Sequence, residues 1–315
     1  MEIVRELTAQ VRDSLGRAVV GQEEALDQIL ICELCGGHAL LEGVPGLAKT
    51  LAVKALSRIC RVSFRRVQCT PDLMPADIIG TNVFNMSTGQ FSLRRGPVFT
   101  DLLLVDEVNR TPPRTQSALL EAMEERAVTI DGERHDLSVF FTVFATQNPI
   151  EFEGTYPLPE AQLDRFLMKI RVDYPHETME EEIVTRYQNG FDARDLDSLN
   201  LVPIEAERFL AAREQVRAVR VEKALVGYIT AIVRRTRDWP SLSLGASPRG
   251  AISLLAVSKA IAAMDGRDFL IPDDIKAAAP PVLRHRLILK PEAHLESLTP
   301  DQIIDEVIRA VDVPR

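Results

Sequence analysis

The chain has no run of about 18 consecutive apolar residues, the length a helix needs to cross a bilayer. Its start, MEIVRELTAQVRDSLG, is amphipathic and mixed in charge, with none of the basic-then-apolar layout of a signal peptide. The expectation is a cytoplasmic protein. There is no low-complexity segment, internal repeat or long flexible linker. Basic excess is also missing: 37 Lys and Arg stand against 46 Asp and Glu, a net charge of −9. That balance argues against nucleic acid as the main partner, although a local basic patch could override it. Cysteine is scarce. Cys32 and Cys35 form one CxxC, but no second pair follows to complete four metal ligands, and the pair lies in an apolar helical run, Ala25–Cys35. Small buried core residues are the expected role for the four thiols, Cys32, Cys35, Cys60 and Cys69.

What is present is ordinary globular material, 46% apolar and 26% charged, over 315 residues, enough for about two domains. One stretch stands out. His38–Thr50, HALLEGVPGLAKT, is a short apolar strand running into a glycine loop and a Lys-Thr pair. Such a loop cradles phosphate: the backbone of Gly43, Val44, Pro45, Gly46, Leu47 and Ala48 converges on β- and γ-phosphates, and Lys49 adds a point charge. Thr50 offers a hydroxyl to Mg²⁺, and the helix beginning at Leu51 (Leu51–Ile59) adds its positive end. Ala48 stands where the usual pattern has Gly. This is acceptable if position 48 is already helical, since only a positive φ would require glycine. Alone, the loop could still be a chance turn before a helix.

Leu102–Glu107, LLLVDE, supports the phosphate reading. Four apolar residues suit a strand buried on both faces, and two carboxylates at its end are poor packing material. In a nucleotide hydrolase Asp106 would hold Mg²⁺ through water and Glu107 would polarise the attacking water. A third strand, in VFATQNP, ends at Gln147-Asn148; an amide there can orient water or bond the γ-phosphate, though Asn before Pro is also a common turn.

Up to about residue 175 strand-like runs alternate with helical patterns, which predicts a parallel sheet between helices. The candidate strands are Ala39–Glu42, Ser63–Cys69, Leu102–Asp106, Val139–Thr146 and Leu167–Val172. The helix after the acidic pair is expected to be capped by Thr111, to carry Pro112 in its first turn, and to bury Ala118, Leu119, Ala122 and Met123. Two hairpins interrupt the pattern, one turning at Met86–Gly89 with Arg94 and Arg95 beyond it, the other at Asp131-Gly132. Past residue 200 strand signals disappear. Pro203–Val219, Glu222–Trp239, Pro248–Met264, Pro272–Leu283 and Asp301–Val311 read as helices. The division expected is a nucleotide-binding core over 1–198 with two inserted hairpins, and a helical lid over 199–315.

The segments GVPGLAKT, LLLVDEVNR, ALLEAMEERAVTIDGE, ATQNPIEFEGTYPLPEAQLDRF and IPDDIKAAAPPVLRHRL resemble AAA+ ATPases, and specifically the MoxR family, over roughly Val19–Leu289. The resemblance implies an α/β P-loop core, five parallel strands ordered 5-1-4-3-2, an all-α lid and a hexameric ring. It places Lys49 and Thr50 in the first nucleotide motif and Asp106 and Glu107 in the second. Asn148 takes the first-sensor position, Arg165 the arginine finger reaching a neighbouring subunit, and Arg249 the second sensor at the start of a lid helix. Val19-Val20-Gly21-Gln22 resembles the adenine-side segment, and the hairpins resemble inserts that face a central pore. Read without the resemblance, Arg165 could simply pair with Asp164 or Glu160, and Arg249 could be a solvated helix-start residue.

The function implied is Mg-dependent ATP hydrolysis by an oligomeric, chaperone-like remodeller. Its partners would be a von Willebrand factor A domain protein and a protein client, neither carried on this chain. A motor subunit of a metal-chelatase-like complex shares this architecture, and a DNA-dependent ATPase is the more distant alternative.

Overall fold

A computed structural model describes residues 1–87, 89–149 and 154–314. The core sheet holds β1 (Ala39–Glu42), β2 (Phe64–Gln68), β5 (Leu102–Asp106), β8 (Thr142–Gln147) and β9 (Met168–Arg171), all parallel, in the order β2-β5-β8-β1-β9. Counted along the chain, this is the expected 5-1-4-3-2. The apolar runs bury both faces by strict alternation. Leu102, Leu104, Leu41 and Phe144 point into one cluster, while Leu103, Val105, Leu40, Val143 and Ala145 point into the other.

The first cluster is roofed by α1 (Glu2–Ala18), α2 (Glu23–Cys35) and α3 (Lys49–Ile59). Helix α1 earns its place through Val4, Leu7, Val11, Leu15 and Ala18, buried at helical spacing. The same apolar cluster continues without a break into the C-terminal helices α8 (Ala206–Arg217), α9 (Lys223–Arg237), α10 (Pro248–Met264), α11 (Pro272–Leu283) and α13 (Pro300–Arg309). The second cluster is covered by α4 (Pro75–Ile79) and α5 (Pro113–Glu125). Between α2 and α8 an ion pair, Glu33–Arg213, is almost wholly buried.

Two antiparallel hairpins stand apart from the sheet, β3 (Gly80–Asn85) with β4 (Gln90–Arg95) and β6 (Ala127–Ile130) with β7 (Glu133–Asp136). Asn82 on the first donates to Asp131 on the second at 2.8 Å. Residue Thr88 of the first turn, and Ile150–Glu153 of the QNPIEFEG stretch, lie outside the described residues.

Several expectations need correction. Helix α5 begins at Pro113 with Pro112, not Thr111, at the N-cap. A proline drives the residue before it out of the helical region, so consecutive prolines let the helix start only at the second. The strand expected from Val139 starts at Thr142, because Val139 is exposed in the turn that Ser138 ties to Asp101. Strands do not vanish after residue 200: β10 (Leu242–Leu244) pairs antiparallel with β11 (Ile288–Leu289), a pairing too short to leave a periodic signal. Two short helices, α6 (Glu160–Leu163) and α12 (Pro291–Leu295), and one longer, α7 (Glu177–Gln188), complete the described elements apart from two 3₁₀ turns. Helix α7 buries none of its residues, so it carries no inward stripe to read. The thiols occupy packing positions: Cys32, Cys60 and Cys69 are buried and Cys35 half-buried. Burial pushes all four up, Cys69 to about 11 and Cys35 to about 12. Among the described residues no helix is long and apolar enough to cross a membrane.

Candidate functional site at the C-terminal edge of the sheet

Parallel strands present their carboxyl ends along one edge, the usual place for a ligand in an open α/β sheet. Here that edge gathers the loop after β1, the acids ending β5 and the amides ending β8. Gly43 leaves β1 so close to β9 that a Cβ would meet Val172 O at 2.3 Å, which requires glycine there. Its N–H donates to Gln147 O at 3.4 Å, placing the loop beside Asn148, itself buried. Lys49 folds back over the loop, donating to Gly43 O at 2.6 Å and Val44 O at 2.8 Å. Desolvation lowers its pKa, against the opposing pull of Asp106 and Glu107.

Ala48 is not helical. It takes φ 56°, a left-handed conformation that disfavours any side chain, and caps α3 from there. The expectation of a helical residue 48 is thus wrong. A small Cβ makes the strain bearable, and strained backbone of this kind clusters at ligand-binding loops. Glu107 is similarly held at φ 57°.

The acids are supported from below. Thr146 on β8 donates to Asp106 Oδ1 at 2.9 Å and accepts from the Glu107 N–H at 2.9 Å. Thr50 Oγ1 lies 3.5 Å from Asp106 Oδ2, and Arg66 pairs with that same oxygen at 2.6 Å. Gln68 donates to Glu107 Oε2 at 2.9 Å, and Arg110 Nε lies 3.4 Å from the same oxygen. Sequence reasoning missed Thr146, Arg66 and Gln68. The signal available was polar side chains within otherwise strand-like runs, Gln68 being in register with Asp106 on the adjacent strand.

Beside the loop is a cavity of about 430 Å³ lined by Val19, Val20, Pro45, Leu47, Leu51 and Phe191 among others. Gly46, at φ 89°, and Ala48 complete its loop wall. Gly21, at φ 72°, turns the chain between α1 and α2 next to Val20. Its apolar lining and position suit a flat base joined to phosphates in the loop.

Arg165 and Arg249 stand elsewhere. Glu124, in the last turn of α5, bonds Arg165 Nε at 2.8 Å through one carboxylate oxygen and Arg249 Nη2 through the other. This cluster sits at the opposite end of the sheet. His38 at the start of β1 contacts Met123 O at 3.1 Å and accepts Leu167 N at 2.8 Å on its own carbonyl. The four residues of β1 alone span about 13 Å between that end and the loop. Neither arginine reaches its own chain's Lys49.

A glycine loop with Lys-Thr, strand-end acids and an open parallel sheet define a P-loop nucleoside-triphosphatase of the AAA+ class. Comparison with known proteins agrees. The profile of the ATPase family associated with various cellular activities matches residues 38–168, and that of the AAA lid domain matches 234–307. The chain is 41% identical to Chaperone MoxR1 of Mycobacterium tuberculosis, over 95% of this chain and 80% of that protein. It is 43% identical to the uncharacterized protein YeaC of Bacillus subtilis, over 99% of this chain and 97% of the other. The crystal structure of a candidate ATPase from Cytophaga hutchinsonii superposes with a TM-score of 0.90 at 42% identity, covering 99% and 96% of the two chains. The chain belongs to the MoxR family of AAA+ ATPases.

Proposed function

We propose that this protein hydrolyses ATP to ADP and phosphate, in a ring of identical subunits, at sites completed by the neighbouring copy. The observation that carries the reading is the location of Arg165: an arginine at the far end of the sheet from its own phosphate loop is placed to serve the next subunit's. Within one chain, Lys49 and the loop N–H groups hold the β- and γ-phosphates, and Glu107 accepts a hydrogen bond from the attacking water. Asn148, next to Gly43, orients that water or the γ-phosphate. Arg165 and Arg249 of the neighbour then meet the charge developing on the transferred phosphoryl group.

Mg²⁺ takes hard oxygen ligands. Thr50 Oγ1 and the Asp106 carboxylate are such donors and lie side by side; with its Oδ2 already held by Arg66, Asp106 would reach the ion through water. Bound there, it would neutralise phosphate charge. The MoxR resemblance supports the wider setting: a cytoplasmic hexamer, a core over 1–198 with a lid over 199–315, and a von Willebrand factor A domain partner. The output would be chaperone-like maturation of a protein client, moved through the paired hairpins.

Mixing tests the shared site. Arg165→Ala should leave ATP binding intact while turnover falls about 10³–10⁵-fold, the range an arginine finger supplies elsewhere. Lys49→Ala subunits should also be inactive, yet a mixed ring can set an intact Arg165 beside an intact Lys49. Recovery of ATPase activity on mixing is expected. A mixture that stays inactive although mixed oligomers form would refute the reading.

A further inference from the structure

We propose that Glu124 is the positioning residue of the shared site, holding Arg165 and Arg249 together as one unit for the neighbouring subunit's nucleotide; this rests on the trans reading above. Its geometry is specific. Each oxygen of one carboxylate takes one guanidinium, Oε2 the Nε of Arg165 at 2.8 Å and Oε1 the Nη2 of Arg249. The two arginines come from different parts of the chain, one following α6 in the core and the other in the first turn of α10. Without a shared counter-charge they would repel and swing apart on long, rotamer-rich side chains.

The backbones beneath them are already fixed. Asp164, adjacent to Arg165, accepts from Ser247 Oγ at 2.8 Å and from Arg286 Nε at 2.7 Å. Ser247 in turn caps α10 by accepting the Arg249 N–H at 3.1 Å. The Asp164–Ser247 link therefore sets where the two arginine backbones stand, and Glu124 sets where their heads point. The trio remains reachable: the side chains of Arg165, Glu124 and Arg249 are 30%, 35% and 44% exposed. The Arg249 hydrogen bond and both guanidinium charges hold the Glu124 carboxyl below its usual range, so it stays ionised at neutral pH. One negative and two positive charges leave the cluster net cationic, ready to meet phosphate without losing the carboxylate that orients it.

The test uses full-length Glu124→Ala, Glu124→Gln and Glu124→Asp proteins. Misaiming a catalytic group by about 1 Å can cost about 10²-fold, so Glu124→Ala should lose turnover on that scale while its affinity for a fluorescent ATP analogue stays at the wild-type value. Asp keeps the charge on a shorter arm and should recover part of the rate, while Gln should recover less. On mixing with Lys49→Ala subunits, the Glu124→Ala protein should regain about a quarter of the wild-type rate at equal proportions. One site in four then joins an intact loop to an intact arginine pair across a head-to-tail interface. Turnover of Glu124→Ala within threefold of wild type would overturn the proposal. So would a Glu124→Ala mixture that stays inactive while the Arg165→Ala mixture recovers, since Glu124 would then act on its own subunit's site. If the Arg165→Ala mixture fails as well, the shared-site reading itself fails and this proposal falls with it.

Discussion

Removal of the Lys49 ammonium should cost ATP affinity rather than chemistry alone. The ammonium is half-buried and already satisfied by two carbonyls, Gly43 O and Val44 O, at 2.6 and 2.8 Å. ATP must therefore offer more than the carbonyls do, and it does, because the β- and γ-phosphate oxygens carry full charge. A hydrogen bond to a charged group contributes about 1.5–3 kcal/mol net, which corresponds to about 10- to 10²-fold in affinity. Lys49→Ala should weaken ATP binding by that factor in an equilibrium titration with a fluorescent ATP analogue and Mg²⁺. The pH dependence gives a second handle. Desolvation lowers the Lys49 pKa, and only the protonated form attracts phosphate. Wild-type affinity should thus begin to fall at a lower alkaline pH than an exposed lysine would give, and the Lys49→Ala protein should lack that step. A mutant dissociation constant within threefold of wild type, or the same alkaline step in both proteins, would refute the assignment of the loop.

Glu107→Gln preserves the shape and the Gln68 contact but cannot take a proton from water. ATP should bind within a few-fold of wild type while single-turnover hydrolysis slows by about 10²–10⁴-fold; near-normal hydrolysis would mean that another residue handles the water. His38 supplies a pH test of the fold. Burial lowers its pKa to about 4, below its value in the unfolded chain. Its contribution is therefore complete above about pH 6.5 and lost as pH falls from there towards 4, about 3 kcal/mol in all. His38→Asn, which keeps an acceptor for the Val143 N–H near the Nδ1 position, should show a shallower fall in urea midpoint over that range. An unchanged slope would remove His38 from the acid sensitivity.

Legibility followed how local each signal was. The runs LLLVDE and HALLE were readable because a strand buried on both faces needs unbroken apolar residues, and the structure puts Leu102–Asp106 and Ala39–Glu42 at those bounds. The helices Pro248–Met264 and Pro272–Leu283 were equally plain, each opened by a proline in its first turn. Ala48 misled because residue type alone does not reveal φ: alanine is the best helix former, yet here the loop closure imposes a left-handed turn. Helix α7 left no inward stripe to read because none of its residues is fully buried. Glu124 sat in plain view within EAMEE, but nothing local distinguishes it from Glu121 or Glu125.

By itself the sequence determined what depends on neighbours along the chain: buried strands, helix starts, the glycine loop with its Lys-Thr, and the acid pair closing a strand. Tertiary structure alone decided which of these meet. The parallel strand order brings Gly43, Asp106 and Asn148, separated by up to 105 positions, to one edge of the sheet and carries Arg165 to the other, where the packing of α10 brings Arg249. It also gave the two arginines a common carboxylate from a third element. The physical reason is that strand pairing and helix packing act over distances in space that have no counterpart in sequence separation. An arginine's charge can be read from its letter, but the phosphate or carboxylate it faces cannot.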